Sequence, residues 1–272
     1  MATSTRPKDL PDYKKPPLNE VVLGVQFPPV EGYQHIFAGD VWRLYKHAYP
    51  VVSENPPLPP TFETFGPPGT QQISFNIGNG TQHSRYWFLT TDKHELIQFQ
   101  NDRLLHNWRK IGPAGEYPRF EVLLAKFQTE LMQLSDYFRA LSPTGKSLVC
   151  NQVEVTYTNH VAAGAGSNFD PSSSLQIFDF RDQSPTDMNA VYRKILTKPD
   201  GSPYARLICE VISAIDYKGD SIAILQFSVR GSPSVGTPGN VMEFMREARI
   251  TIVNEFTHIT SAAAHKTWER IS

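Results

Sequence analysis

The chain has 272 residues, a formal net charge of -1, 40% hydrophobic and 11% aromatic content. That length and composition suffice for a folded core and exclude global disorder. The near-neutral charge and sequence pI of about 6.7 leave no overall basic footprint for non-specific nucleic-acid binding. Cys150 and Cys209 are the two cysteines, far apart in apolar runs, so they read as small buried hydrophobes in a reducing cytoplasm. No run reaches the roughly twenty apolar residues of a membrane span, and no signal-peptide core opens the chain.

Residues 1–17, with Pro7, Pro11, Pro16 and Pro17, read as a flexible lead-in. Val21, Val22, Leu23, Val25 and Phe27 predict a short strand stopped by Pro28 and Pro29. Tyr33, Ile36, Phe37, Val41, Leu44 and Tyr45 then recur at helical spacing and predict a helix over about 31–48. Pro50 to Gly69 is too proline-rich for a helix or a central strand and is expected as an extended surface arm anchored by Phe62 and Phe65. Strands are expected at Gln71–Ile77 and Arg85–Thr90, around Gly78-Asn79-Gly80.

The segment ELIQFQNDRLLHNWRK, Glu95 to Lys110, predicts a hairpin turning at Asn101-Asp102. Strand alternation puts Leu96, Gln98 and Gln100 on one face and Glu95, Ile97 and Phe99 on the other. On the returning strand Leu104, His106 and Trp108 oppose Arg103, Leu105, Asn107 and Arg109. One face thus gathers amides and guanidinium groups, able to bind a planar or anionic group through Gln98, Gln100, Arg103, Asn107 and Arg109. The competing reading is that the same groups satisfy neighbouring loops and backbone ends.

From Pro118, the residues Phe120, Leu123, Leu124, Phe127, Leu131, Leu134, Tyr137, Phe138 and Leu141 keep a helical stripe until Ser142-Pro143, which needs an apolar sheet face to bury it. The second half predicts strands at 148–161, 190–197, 204–217 and 221–230, and a helix over about 240–270. Both halves read as meander followed by long helix. The expected fold is therefore α+β, two similar halves over 18–145 and 146–272, each a curved antiparallel sheet packed on a long amphipathic helix, with pockets in the grooves between helix and sheet. The length of the last helix predicts a stripe for a homo-oligomer contact.

Chemistry-bearing motifs are few. His83, His94, His106, His160 and His258 have no HxxxH or CxxC spacing; no metal or cofactor is expected, His106 and His160 being the best-placed ligands otherwise. Asp179, Asp182 and Asp187 match no calcium loop. There is no GxSxG elbow, and the Gly164 to Ser167 loop lacks the lysine of a phosphate cradle. In NQVEVTYTNH, Gln152, Glu154, Thr156, Thr158 and His160 share a face, and Glu154 is the candidate acid or base unless an arginine of a neighbouring strand claims it.

PLNEVV at 17–22, IQFQNDRLLHNWR at 97–109 and NQVEVTYTN at 151–159 together resemble a sporadically distributed family of uncharacterised bacterial proteins. That resemblance implies no activity or site residues; patchy distribution implies an accessory role such as phage defence. The leading expectation is a non-enzymatic binding or interaction module for a small molecule or protein partner. The alternatives are an enzyme acting on a nucleotide or other anionic substrate, with Arg103 and Arg109 as clamp and Glu154 as proton carrier, and, more weakly, nucleic-acid binding through Arg85, Arg103, Arg109, Lys110 and Arg119 interleaved with Tyr86, Trp87 and Trp108.

Overall fold

The computed structural model describes residues 6–7, 9–65, 84–112, 115–164, 169–178 and 185–272. Strand β1 is Leu18–Gln26, followed by α1 at Ala38–Tyr45, β2 at Val51–Asn55, β3 at Arg85–Leu89, β4 at Glu95–Gln100, β5 at Arg103–Arg109 and α2 at Phe120–Leu141. Then come β6 at Gln152–Ala162, β7 at Asn189–Thr197, β8 at Pro203–Ile215, β9 at Ser221–Gly231, α3 at Pro238–Ile259 and α4 at Ala262–Thr267. The strands form one nine-stranded sheet in the order β2-β3-β4-β5-β1-β6-β9-β8-β7, antiparallel throughout.

The expectation of two halves, each with its own sheet on its own helix, is overturned. β1 pairs with β5 on one side and β6 on the other, so a single sheet runs through both. Two separate sheets would each have ended on an unpaired row of backbone N–H and C=O groups at β1 and β6. Joining them satisfies both rows at once. The join also continues the apolar face: Val21, Leu23 and Val25 of β1 lie beside Val153, Val155 and Tyr157 of β6, all buried.

The helices lie on that apolar face. α2 packs on β5, α1 and α3, while α3 packs on β6 and β9. Phe120, Leu123, Phe127, Leu131, Leu134 and Phe138 carry the predicted stripe of α2 into the core, and all are at most 2% exposed. α2 stops where Ser142 turns to extended backbone ahead of Pro143, which disfavours helix in the residue before it. The helix predicted over 31–48 is shorter, α1 being preceded by a 3-10 turn at His35–Phe37; Gly32, at φ +85°, sits outside helical geometry.

The predicted helix over 240–270 breaks at Thr260-Ser261. Ser261 caps α4 by accepting from the Ala264 N–H at 3.1 Å, which gives the chain a fresh helix start. The lead-in is held from Leu10 onward: Leu10 and Tyr13 are buried, and Lys14 and Lys15 donate backbone bonds to Glu269 and Trp268. The strand expected at Gln71–Ile77 lies outside the described residues. Cys150 and Cys209 are free and buried, and burial pushes each thiol up to about 12.

Candidate functional site

The hairpin forms as its sequence dictates, with Gln100 opposite Arg103, Gln98 opposite Leu105 and Leu96 opposite Asn107. Opposed residues of an antiparallel pair share a face, so the amides and arginines gather on the side of the sheet away from the helices. Continuing the register gives two rows on this outer face. One runs Gln100, Arg103, Gln26, Gln152; the next runs Gln98, Leu105, Gly24, Glu154, Arg230, Arg206. Gly24 belongs to the second row and has the Leu105 side chain folded over it, so that an added Cβ would come within 2.3 Å of Leu105 Cδ2.

The proline-rich segment crosses this face. Val51–Asn55 of the expected arm is an edge strand instead, paired with β3, and the chain from 56 to 65 runs over the strands as predicted. Side-chain amides hold it. Gln100 accepts from the Leu58 N–H at 2.9 Å and donates to the Leu58 carbonyl at 3.0 Å. Gln26 accepts from the Thr61 N–H at 3.1 Å and donates to the Thr61 carbonyl at 2.8 Å. Arg103 donates to the Pro59 carbonyl at 3.0 Å, and Glu63 reaches Arg206 at 2.7 Å and Arg230 at 3.3 Å. Phe65 lies against the Arg206 guanidinium at 5.7 Å, whereas Phe62 is 54% exposed.

Between arm and sheet is a cavity of about 270 Å³ lined by Gly24, Gln26, Arg103, Gln152, Glu154 and Arg230, with Leu58, Pro59 and Thr61 as its cover. This chamber lies on the face away from the helices, while the expected grooves between helix and sheet hold hollows of their own, one between α1, α2 and β4 and one between α3 and the β7–β8 end. Gln152 is 2% exposed and its amide nitrogen has no hydrogen-bond partner among the described residues. Arg85 Nε, His106 Nε2 and Asn151 Oδ1 share that condition, but only Gln152 lines this cavity. Charges around it are matched: Arg103 with Asp102 at 3.0 Å, Arg206 with Glu63, and Arg230 with both Glu63 and Glu154, the last at 2.5 Å.

Of the residues singled out on the hairpin, Arg103 alone lines the cavity. Gln100 serves the arm. Gln98 accepts from Arg85 at 2.7 Å and Trp87 at 3.1 Å and donates to Asn107 at 2.8 Å, and Asn107 donates to Glu20 at 2.8 Å. Arg109 donates to the Lys93 carbonyl and flanks the Trp87 ring, with Arg85 also 5.6 Å from that ring. Burial and the like charge of Arg103 lower the Arg85 guanidinium from its usual value. Glu154 is claimed by Arg230, directly opposite it.

The basic and aromatic residues of the nucleic-acid reading do not form one surface. Arg103 is buried, Trp108 is buried against Tyr117 on the helix side, Tyr86 meets His35, and Arg119 pairs with Asp12. No group of three or more metal-ligating side chains assembles among the described residues; Asp179 and Asp182 lie outside them. None of the described helices is long and apolar enough to cross a membrane. On α3 the large aliphatic left exposed is Ile250.

A second polar cluster lies on the helix side. His106, fully buried, meets Glu130 of α2 through Nδ1 at 2.9 Å, and Tyr49 donates to the same carboxylate at 2.6 Å. Burial, then Glu130, raise the Tyr49 phenol far above its ordinary range. Glu95 stands 3.8 Å from His106 Nε2 and pairs with Lys126 at 2.6 Å. These groups tie α2 to the sheet.

Gln26, Gln152 and Arg230 are the cavity residues that strand patterning alone did not single out as a site. Gln152 and Glu154 were legible as one face of their strand; their convergence with Arg103 depends on β1 lying between β5 and β6. Searched against known protein families and against curated protein sequences, the chain matches none.

Proposed function

We propose that this protein is a non-enzymatic binding protein that holds a small polar molecule between its central strands and the arm 56–65. The observation that carries this is Gln152, an amide donor buried in a cavity wall without a partner among the described residues. Buried polar groups are nearly always satisfied, and an exception at a concave polar site points to a ligand. Binding is favoured over proton transfer because the Glu154 carboxylate is already committed to Arg230. It is favoured over a nucleotide substrate because the arginines around the cavity are already paired with Asp102, Glu63 and Glu154, which leaves no surplus cation for a phosphate. The accessory, phage-defence type of role rests on the resemblance of the three motifs alone.

Native mass spectrometry of the full chain, purified gently from its own host, tests the reading. A stoichiometric small molecule released on denaturation, and absent from the Gln152→Leu variant, is the expected result. A ligand-free chain, or a protein partner or homo-oligomer without small molecule, would overturn it.

A further inference from the structure

Resting on that binding reading, we infer that the ligand is a small zwitterion of the α-amino acid class, its carboxylate on Gln152 and Arg103 and its ammonium on Glu154. Three features converge. Three arginines, Arg103, Arg206 and Arg230, face three carboxylates, Asp102, Glu63 and Glu154, so the chamber offers no surplus charge. A phosphate or a bare carboxylic acid would bring an uncompensated anion into a partly desolvated place, which is costly.

The unspent hydrogen-bonding capacity has a polarity. Gln152 Nε2 has no acceptor among the described residues. Arg103 uses Nε and Nη2 on Asp102, Gln26 and the Pro59 carbonyl, while its Nη1 has no partner among the described residues. Both free donors ask for an acceptor. Two residues along β6, on the same face, Glu154 Oε1 receives only the Thr156 hydroxyl among the described residues, at 3.3 Å, and retains lone pairs for a donor. Charge-assisted bonds are about twice as strong as neutral ones. A guanidinium at one end and a carboxylate at the other therefore favour a ligand carrying both charges over a neutral amide.

Isothermal titration of the full chain with the common amino acids, their α-amides and their des-amino acids tests the class. At least one amino acid should bind one to one, with a tenfold or greater loss for its amide and for its des-amino analogue. Gln152→Leu should lose at least tenfold, and Glu154→Gln should abolish the preference for the ammonium-bearing ligand over the des-amino acid. A co-purified ligand lacking either charged group would overturn the class while leaving the pocket intact. Amino-acid binding unchanged in both variants would overturn the assignment of that ligand to this cavity. No binding by any of the panel, with a ligand-free chain in native mass spectrometry, would overturn class and pocket together.

Discussion

Gln152 shows how a single side chain separates stability from binding. Burying an amide nitrogen without an acceptor costs on the order of 1–3 kcal/mol, and nothing in the fold recovers it among the described residues. Leucine has a similar volume and no polar atom to strand. Gln152→Leu is therefore expected to raise the stability of the ligand-free chain, by about 1 kcal/mol, while removing the ligand. Urea denaturation of both proteins after ligand removal reads this directly, and a variant less stable than the parent would mean that the amide has a structural task. Gln26 and Gln100 are the contrast. Each amide makes a donor and an acceptor bond to one residue of the arm, so the same residue type on the same face is fully employed. The sequence puts Gln100 and Gln152 each on one face of its own strand; it does not show that the two faces coincide, or which amide meets a backbone.

Among the elements, the hairpin and α2 were legible because their signals are local. A two-residue turn fixes register, and a helical stripe ended by Pro143 fixes both length and buried face. The break before α4 was legible in principle, since Thr260-Ser261 ahead of an alanine run is a capping signal, but the apolar periodicity running through it outweighed the cap. The arm's path was not legible, for it depends on side chains contributed by β1, β4, β5, β8 and β9. The clamp of α2 on the sheet is equally non-local. Removing the Glu130 carboxylate leaves the buried His106 Nδ1 and Tyr49 hydroxyl with only their long mutual contact of 3.5 Å, at roughly 1–3 kcal/mol for each group. Glu130→Ala should lower stability by about 3 kcal/mol, and adding Tyr49→Phe should cost less in that background than in the parent, because one stranded group is gone. Additive losses in urea denaturation would show that the carboxylate does not couple the two.

At the scale of the whole molecule, strand periodicity predicts which side chains face the core but not which strand edges meet. That is why two halves were expected and one sheet is found. The consequence concerns cooperativity. Chains of this length commonly unfold in steps when they comprise separate domains, and a boundary between 145 and 146 would fall between α2 and β6. The structure argues otherwise. β1 is hydrogen-bonded to both β5 and β6, α2 packs on α3, and the buried residues form one hydrophobic cluster from Tyr13 to Trp268. Melting either half would expose the backbone edge of β1 or β6 together with Val21, Leu23, Val25, Val153 and Val155, all at most 1% exposed in the fold. At roughly 1.5–3 kcal/mol for each fully buried aliphatic side chain, a half-melted state would lose several kcal/mol at this seam alone, comparable with the whole stability of an ordinary domain. Calorimetry of the full chain should therefore give one transition with equal calorimetric and van't Hoff enthalpies. Two resolved transitions would mean that the β1–β6 seam is weaker than its register and burial require, and the cavity that straddles it would then open independently of the rest of the sheet.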